Sequence, residues 1–346
     1  MATVVTVTLN PAVDRTLEVS GFEPGGVYRG RLRAYRASGK GVNVSAVLSA
    51  LGRPSVALGF VGLHEQSFFR ASLHPALVDC RLSAVPGVTR HHTTIIDPVR
   101  RTETHLREEG FEVGETFVRE LRRSIGSVLR GDDFCIFSGS LPPGIDPGRF
   151  AGLVRSCAQV GARVVVDGEG EVLAAVLAGG AARPRLELIK PNVVELGQLV
   201  GRSLRTVGQV LAAARGLCAS PPARSAPRLK SVLVSWGERG AYLVTAAGAW
   251  RARAILPPER VVNSVGCGDS LLAGFVAGLN DGLPVEGCLR LGAACAAADA
   301  LTYAGGDVDP NLVNQFVEQA VVERLDEKAL AAARPKRAAR TRARPK

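Results

Sequence analysis

An alternation along the chain constrains the fold more than any other feature. Short β-rich runs at 4–9 (VVTVTL), 55–62 (SVALGFVG), 133–139, 162–168, 186–192 and 231–237 are apolar on both faces. Amphipathic segments predicted as helices lie at 43–51, 115–129, 148–160, 192–200 and 206–217. Doubly buried strands alternating with helices imply βαβ units around a parallel sheet. Such sheets bind ligands beyond the carboxyl ends of their strands. The loops expected there read TLNPAVD (8–14), SGSLPPG (138–144), DGEGE (167–171), KPNVVE (190–195) and SWGERG (235–240). Two segments break the rhythm. Residues 15–37 and 88–107 alternate apolar with polar, as half-exposed antiparallel strands do, and predict a small β-sheet lid or, alternatively, plain surface hairpins.

The 346 residues suffice for one large domain, expected over 1–325, with an appendage at 326–346. Seven of the net eleven positive charges lie in RPKRAARTRARPK (334–346). Without aromatics, that run reads as a solvated, disordered tail with at most non-specific attraction to nucleic acid. A Pro/Ser/Arg-rich stretch at 219–230 reads as a loop. Seven scattered cysteines, odd in number and without a C-x-x-C pair, argue against a disulfide framework or a zinc site and for a reducing cytoplasm. No apolar run reaches membrane-spanning length, and the N-terminus lacks the features of a secretory signal. No G-x-G-x-x-G fingerprint follows the first strand, which leaves dinucleotide binding without support.

Chemistry is foreshadowed in VVNSVGCGDSLLAGFVAGL (261–279). Leu271, Leu272, Phe275, Val276 and Leu279 recur at helical spacing, so Gly266, Cys267, Gly268 and Asp269 fall at or just before a helix N-terminus. That end presents unpaired amides and the positive end of the dipole, a ready anion site. A glycine-rich turn capped by Asp269 is the competing reading. Asn192 and Glu195 share one face of a helix start, where the spacing suits a capping box.

Together with SGKGVNVSAVLSALG (38–52), KPNVVEL (190–196), VSWGERGAYLV (234–244) and NSVGCGDSLLAG (263–274), these loops resemble the pfkB (ribokinase-like) family of sugar kinases, in family order from about residue 3 to about residue 325. TLNPAVD and the pair Thr89-Arg90 resemble its hexose-phosphate branch. The resemblance implies a three-layer α/β/α domain with a mainly parallel central sheet and a small β-sheet lid. It implies ATP-dependent phosphoryl transfer to a ketohexose phosphate, foremost fructose 1-phosphate to the 1,6-bisphosphate. Tagatose 6-phosphate, fructose 6-phosphate, another sugar or a nucleoside are alternative acceptors, and a non-catalytic ligand-sensing regulator is the alternative class. By the same resemblance Asp269 is the general base, and the amides of Gly266, Cys267 and Gly268 form an anion hole. Asp14, Gly39, Lys40, Asn43, Arg90 and Ser138 hold the sugar phosphate, with Arg29 a weaker second cation. An Asx turn and an exposed edge-strand arginine are the competing readings of Asp14 and Arg90. Lys190, Ser235, Gly237 and Gly240 contact ATP, while Asn192 and Glu195 organise Mg²⁺ through water. The lid is where a homodimer would form. Three departures stand out: Cys267 where a smaller residue is usual, His91-His92 where the branch carries an apolar residue and Asn, and Glu169 adding charge on the nucleotide side.

Overall fold

The computed structural model describes residues 2–74, 76–178, 185–219 and 229–326. Its first half contains β1 (Val4–Thr8), β2 (Ala12–Glu18), β3 (Arg31–Ser38), α1 (Lys40–Ala50), β4 (Ser55–Gly62), α2 (Gln66–Ser72), β5 (Val78–Val85), β6 (His91–Asp97), β7 (Thr102–Arg107) and α3 (Glu115–Val128). Next come β8 (Phe134–Ser138), α4 (Pro147–Gln159), β9 (Arg163–Asp167), α5 (Gly170–Leu177), β10 (Leu186–Ile189), α6 (Val193–Leu199), α7 (Val207–Cys218) and β11 (Leu229–Ser235). The chain continues through β12 (Ala241–Thr245), β13 (Gly248–Arg253), α8 (Cys267–Asn280), α9 (Val285–Asp299), α10 (Pro310–Gln319) and β14 (Val321–Arg324).

Ten strands form one sheet in the order β14-β13-β12-β11-β10-β9-β8-β1-β4-β5. From β11 to β5 every neighbouring pair is parallel, and β12, β13 and β14 extend the far edge antiparallel. The apolar runs explain this core. In β8, Phe134 and Ile136 join the cluster on one face of the sheet, and Cys135 and Phe137 join the cluster on the other. Both faces are therefore covered, with α4, α5 and α7 contributing to one layer and α1, α8 and α9 to the other. Full burial stabilises each such Phe, Val or Leu by about 1.5–3 kcal/mol.

A second sheet, ordered β3-β2-β6-β7, forms the lid. It corrects one expectation. The β2–β3 and β6–β7 pairs are antiparallel, but the central β2–β6 pair is parallel. Between β2 and β6 the chain passes through β3, α1, β4, α2 and β5 and re-enters the lid in the original direction, a crossover that a local pattern of alternation does not reveal.

Among the described residues no helix is long and apolar enough to cross a membrane. All seven cysteines are free. Residues 220–228 of the Pro-rich stretch and 327–346 of the basic tail lie outside the described residues.

Candidate active site

Five adjacent parallel strands end at the same edge and deliver chemistry there. β1 leads into Asn10, β8 ends on Ser138, β9 ends on Asp167, β10 leads into Lys190 and β11 ends on Ser235. The β8–β9 register sets Ser138 beside Asp167, and Ser138 Oγ donates to Asp167 Oδ2 at 2.9 Å. Asp167 is fully buried and pairs with two ammonium groups, Lys40 Nζ at 3.4 Å and Lys190 Nζ at 3.3 Å. Burial alone would push this carboxyl up, but Lys190, Lys40 and the Ser138 hydroxyl together hold it below its ordinary value. Reciprocally, Asp167 raises Lys40 against the opposing effect of burial, with smaller help from Asp269 and Glu195. Asp167 was not among the sequence-derived site residues. Its loop lay in the expected place, but nothing local distinguishes it from a strand-end aspartate.

Asp269 belongs to the same charge cluster. It occupies the first turn of α8, whose N-cap is Gly266, so the N-cap reading of Asp269 is replaced by a position inside the helix. Gly266 has φ 92°, and a Cβ there would collide with Gly305 Cα. No side chain caps this helix, which leaves its first amides without a side-chain acceptor. Lys190 Nζ lies over Gly268, 3.2 Å from where a Cβ would stand. Asp269 is 6% exposed. Its pKa is raised to about 7, chiefly by burial and next by the charge of Asp167, against the opposing pull of Lys40, Lys190 and a hydrogen bond from Asn43. Cys267 is held as a neutral thiol by burial and by the nearby Asp299 and Asp269 carboxylates, which makes it a poor nucleophile. Helix α8 itself is locked against α9 through small residues: Cβ atoms at Gly274 and Gly292 would fall 2.8 Å from Cys295 Sγ and 2.7 Å from Leu271 O.

A line of polar contacts runs from this carboxylate to the lid. Asn43 Nδ2 donates to Asp269 Oδ2 at 2.8 Å. Ser38 Oγ lies 3.2 Å from Asn43 Oδ1 and 2.6 Å from Asp14 Oδ2, so its single proton serves the shorter contact. Ser38 is a further residue that sequence reasoning passed over, although it opens the quoted SGKGVN stretch. Gly39, at φ 121°, makes the turn from β3 into α1, and its missing Cβ allows Pro11 to pack against it.

Arg90 is less free than the sequence suggests. Its Nη2 donates to Asn10 O at 2.8 Å and to Ser140 Oγ at 3.2 Å, and its Nε donates to Pro11 O at 3.3 Å. Among the described residues Nη1 has no hydrogen-bond partner. Burial, then the proximity of Arg107, lowers the pKa of this guanidinium, which Asp14 and Glu169 partly offset. Glu169 is exposed at the N-cap of α5, and its charge is felt weakly by Arg90. Arg29 is exposed between β2 and β3. The two lid histidines face opposite ways: His91 pairs with Glu108, and His92 Nδ1 lies 3.5 Å from Asp14 Oδ1.

On the other side of Asp167, α6 begins with a complete capping box. Asn192 Oδ1 accepts from the amides of Val194 and Glu195 at 2.8 and 2.9 Å, and Glu195 Oε2 accepts from Asn192 N at 2.8 Å. One oxygen of Glu195 remains, and its charge is felt by Lys40. Asn192 bridges to Ser235, which brings the KPN and SWGERG loops side by side. Gly237 and Gly240 both take positive φ in that second loop, and Arg239 stacks over Trp236 at 4.3 Å. Among the described residues no three His, Cys, Asp or Glu side chains gather as a cation cage.

Comparison with known proteins bears on the family and the fold. Residues 4–311 match the model of the pfkB family of carbohydrate kinases. The chain is 35% identical over 311 residues to a 1-phosphofructokinase of Rhodobacter capsulatus, covering 89% of this chain and 92% of that protein. It is 27% identical over 316 residues to a tagatose-6-phosphate kinase of Staphylococcus epidermidis, covering 91% of this chain and 98% of that one. Phosphofructokinase-2 from Escherichia coli, solved in complex with substrates and products, superposes with a TM-score of 0.82 at 26% identity, covering 91% of this chain and 98% of that chain.

Proposed function

The chain belongs to the pfkB family of carbohydrate kinases, and we propose that it transfers the terminal phosphoryl group of ATP to a hydroxyl of a ketohexose phosphate, converting fructose 1-phosphate to fructose 1,6-bisphosphate. One observation carries the reading: a buried carboxyl poised near neutrality, Asp269, in the first turn of an uncapped helix that faces two lysines. The identity to a 1-phosphofructokinase selects the acceptor class.

In this reading the acceptor hydroxyl meets Asp269, which takes its proton as the oxygen attacks. A pKa near 7 matches proton transfer at neutral pH better than an ordinary aspartate does. The first amides of α8 and Lys190 Nζ surround the moving phosphoryl and stabilise its charge without reorganisation. Lys40, anchored by Asp167, supplies a second fixed cation on the sugar side. The Asp14–Ser38–Asn43 line orients the sugar hydroxyls relative to the base. Asn192 and Glu195 would hold Mg²⁺ through water, where the ion neutralises phosphate charge. Ser235, Gly237 and Gly240 shape the adjoining loop for ATP. Leu32, Tyr35 and Leu106 leave apolar surface exposed on the lid, and a homodimer would bury it there. Free cysteines throughout suit a reducing cytoplasm.

The decisive experiment is ADP release with Mg-ATP across fructose 1-phosphate, fructose 6-phosphate, tagatose 6-phosphate and free fructose. The highest kcat/KM is expected with fructose 1-phosphate. Turnover of none of the phosphorylated sugars would overturn the reading.

A further inference from the structure

The lid carries a transverse row of charge whose members do not all have partners. Strand register opposes Asp14 to Arg36, sets Asp14 beside His92, and opposes His92 to Arg107. Residues aligned across a pleated sheet share one face, so the row runs Arg36, Asp14, His92, Arg107 over all four strands. Two members are occupied: Arg36 pairs with Asp307 at 3.6 Å, and Asp14 Oδ2 accepts from Ser38. The other two have donors to spare. His92 faces Asp14 through Nδ1 at 3.5 Å but its buried Nε2 has no hydrogen-bond partner, and the exposed Arg107 has no side-chain hydrogen bond or ion pair among the described residues. Asp14, His92, Thr94, His105 and Arg107 line an open cleft together with Val265, which precedes Gly266 in the chain. The cleft therefore joins the lid to the loop that precedes Asp269.

Arg107 is also close enough to Arg90 to act on it electrostatically. Two guanidinium groups brought together repel, and an anion between them relieves that repulsion. Arg90 has committed Nε and Nη2 to Asn10, Pro11 and Ser140, so it offers Nη1 alone and lacks the fork that holds a phosphate by itself.

We propose that Arg107, with His92 Nε2 beside it, is the specificity-determining grip on the acceptor's existing phosphate, and that Arg90 braces the strand-end loop and contributes a single donor. This rests on the kinase reading above for the identity of the acceptor, though not for the existence of an anion site. His91, turned outward to Glu108, takes no part.

The test compares the wild-type full chain with Arg107→Ala, Arg107→Lys and His92→Asn. Kinetics are measured with fructose 1-phosphate and ATP, and binding of inorganic phosphate is followed by calorimetry. Arg107→Ala should raise KM for fructose 1-phosphate at least tenfold, leave KM for ATP unmoved and abolish phosphate binding. Arg107→Lys should recover part of both losses. His92→Asn should raise the same KM a few-fold. An Arg107→Ala enzyme whose KM for fructose 1-phosphate is unchanged overturns the assignment, as does one in which both KM values rise together. Should the wild-type chain turn over no ketohexose phosphate yet bind inorganic phosphate through Arg107, the kinase reading falls and the anion site stands.

Discussion

Asn43 offers the most discriminating perturbation of the base. Its Nδ2 donates at 2.8 Å to a carboxylate oxygen of Asp269, inside a site where that carboxyl is already raised to about 7. A hydrogen bond to a buried charged group is worth about 1.5–3 kcal/mol, and each unit of pKa corresponds to about 1.4 kcal/mol. Asn43→Leu fills the space, excludes water and removes the donor, so the pKa should climb by roughly one to two units. The active form is the deprotonated one, so kcat/KM rises with pH up to the pKa and levels off above it. The acid limb of the profile should lie near 7 in the wild type and move up by that interval in the variant. At pH 7, where half of the wild-type carboxyl is already protonated, the variant should therefore lose roughly five- to fiftyfold in kcat/KM and regain most of that loss toward pH 9. Fructose 1-phosphate kinetics across pH 5.5–9.5 would decide it. If the limb stays where it was while activity drops at every pH, Asn43 merely shapes the pocket, and the assignment of Asp269 as the titrating base is wrong.

Asp269→Asn should lower kcat by roughly two to four orders of magnitude with ATP binding retained, because only the proton transfer is lost; wild-type-like turnover would return Asp269 to a structural role. The same variant bears on stability. A carboxyl raised from 3.8 to about 7 by folding binds its proton more tightly in the native state, so wild-type stability falls as pH rises from about 4 to about 7, and Asp269→Asn should flatten part of that fall in Tm. Asp299, raised to about 7 mainly by burial, leaves a residual slope in the variant. Gly266→Ala combines a left-handed φ of 92° with a collision against Gly305, and should cost about 1–3 kcal/mol together with most of kcat; a fully active variant would remove the anion loop from the mechanism. Truncation after Ala333 should leave kcat/KM for fructose 1-phosphate unchanged and abolish retention on heparin at low salt, since the family match ends at residue 311 and β14 at Arg324; a tenfold loss of activity would show that the tail docks on the catalytic domain.

What the sequence disclosed and what it withheld divide along a physical line. Gly266 to Asp269 were legible because turn, helix face and carboxylate all lie within one short stretch, and periodicity located the helix independently of any function. The parallel strands were legible because burial on both faces demands an apolar run such as Phe134 to Ser138. Asp167 was not, because its role is set by Lys40, 127 residues away, and by Lys190 on the neighbouring strand; only the sheet order brings the three together. Arg107 was hidden for the same reason, since its meaning comes from cross-strand register with His92 and from charge shared with Arg90. The edge strands β12, β13 and β14 pair antiparallel, so the βαβ rhythm that located the others could not reach them. Asn192 and Glu195 show how one pattern can satisfy two demands. The capping box consumes Asn192 Oδ1 and Glu195 Oε2 to finish a helix and leaves the second Glu195 oxygen outside it, its charge felt by Lys40; the local structural need and the proposed cation-organising role draw on different atoms of the same pair, so neither reading excludes the other.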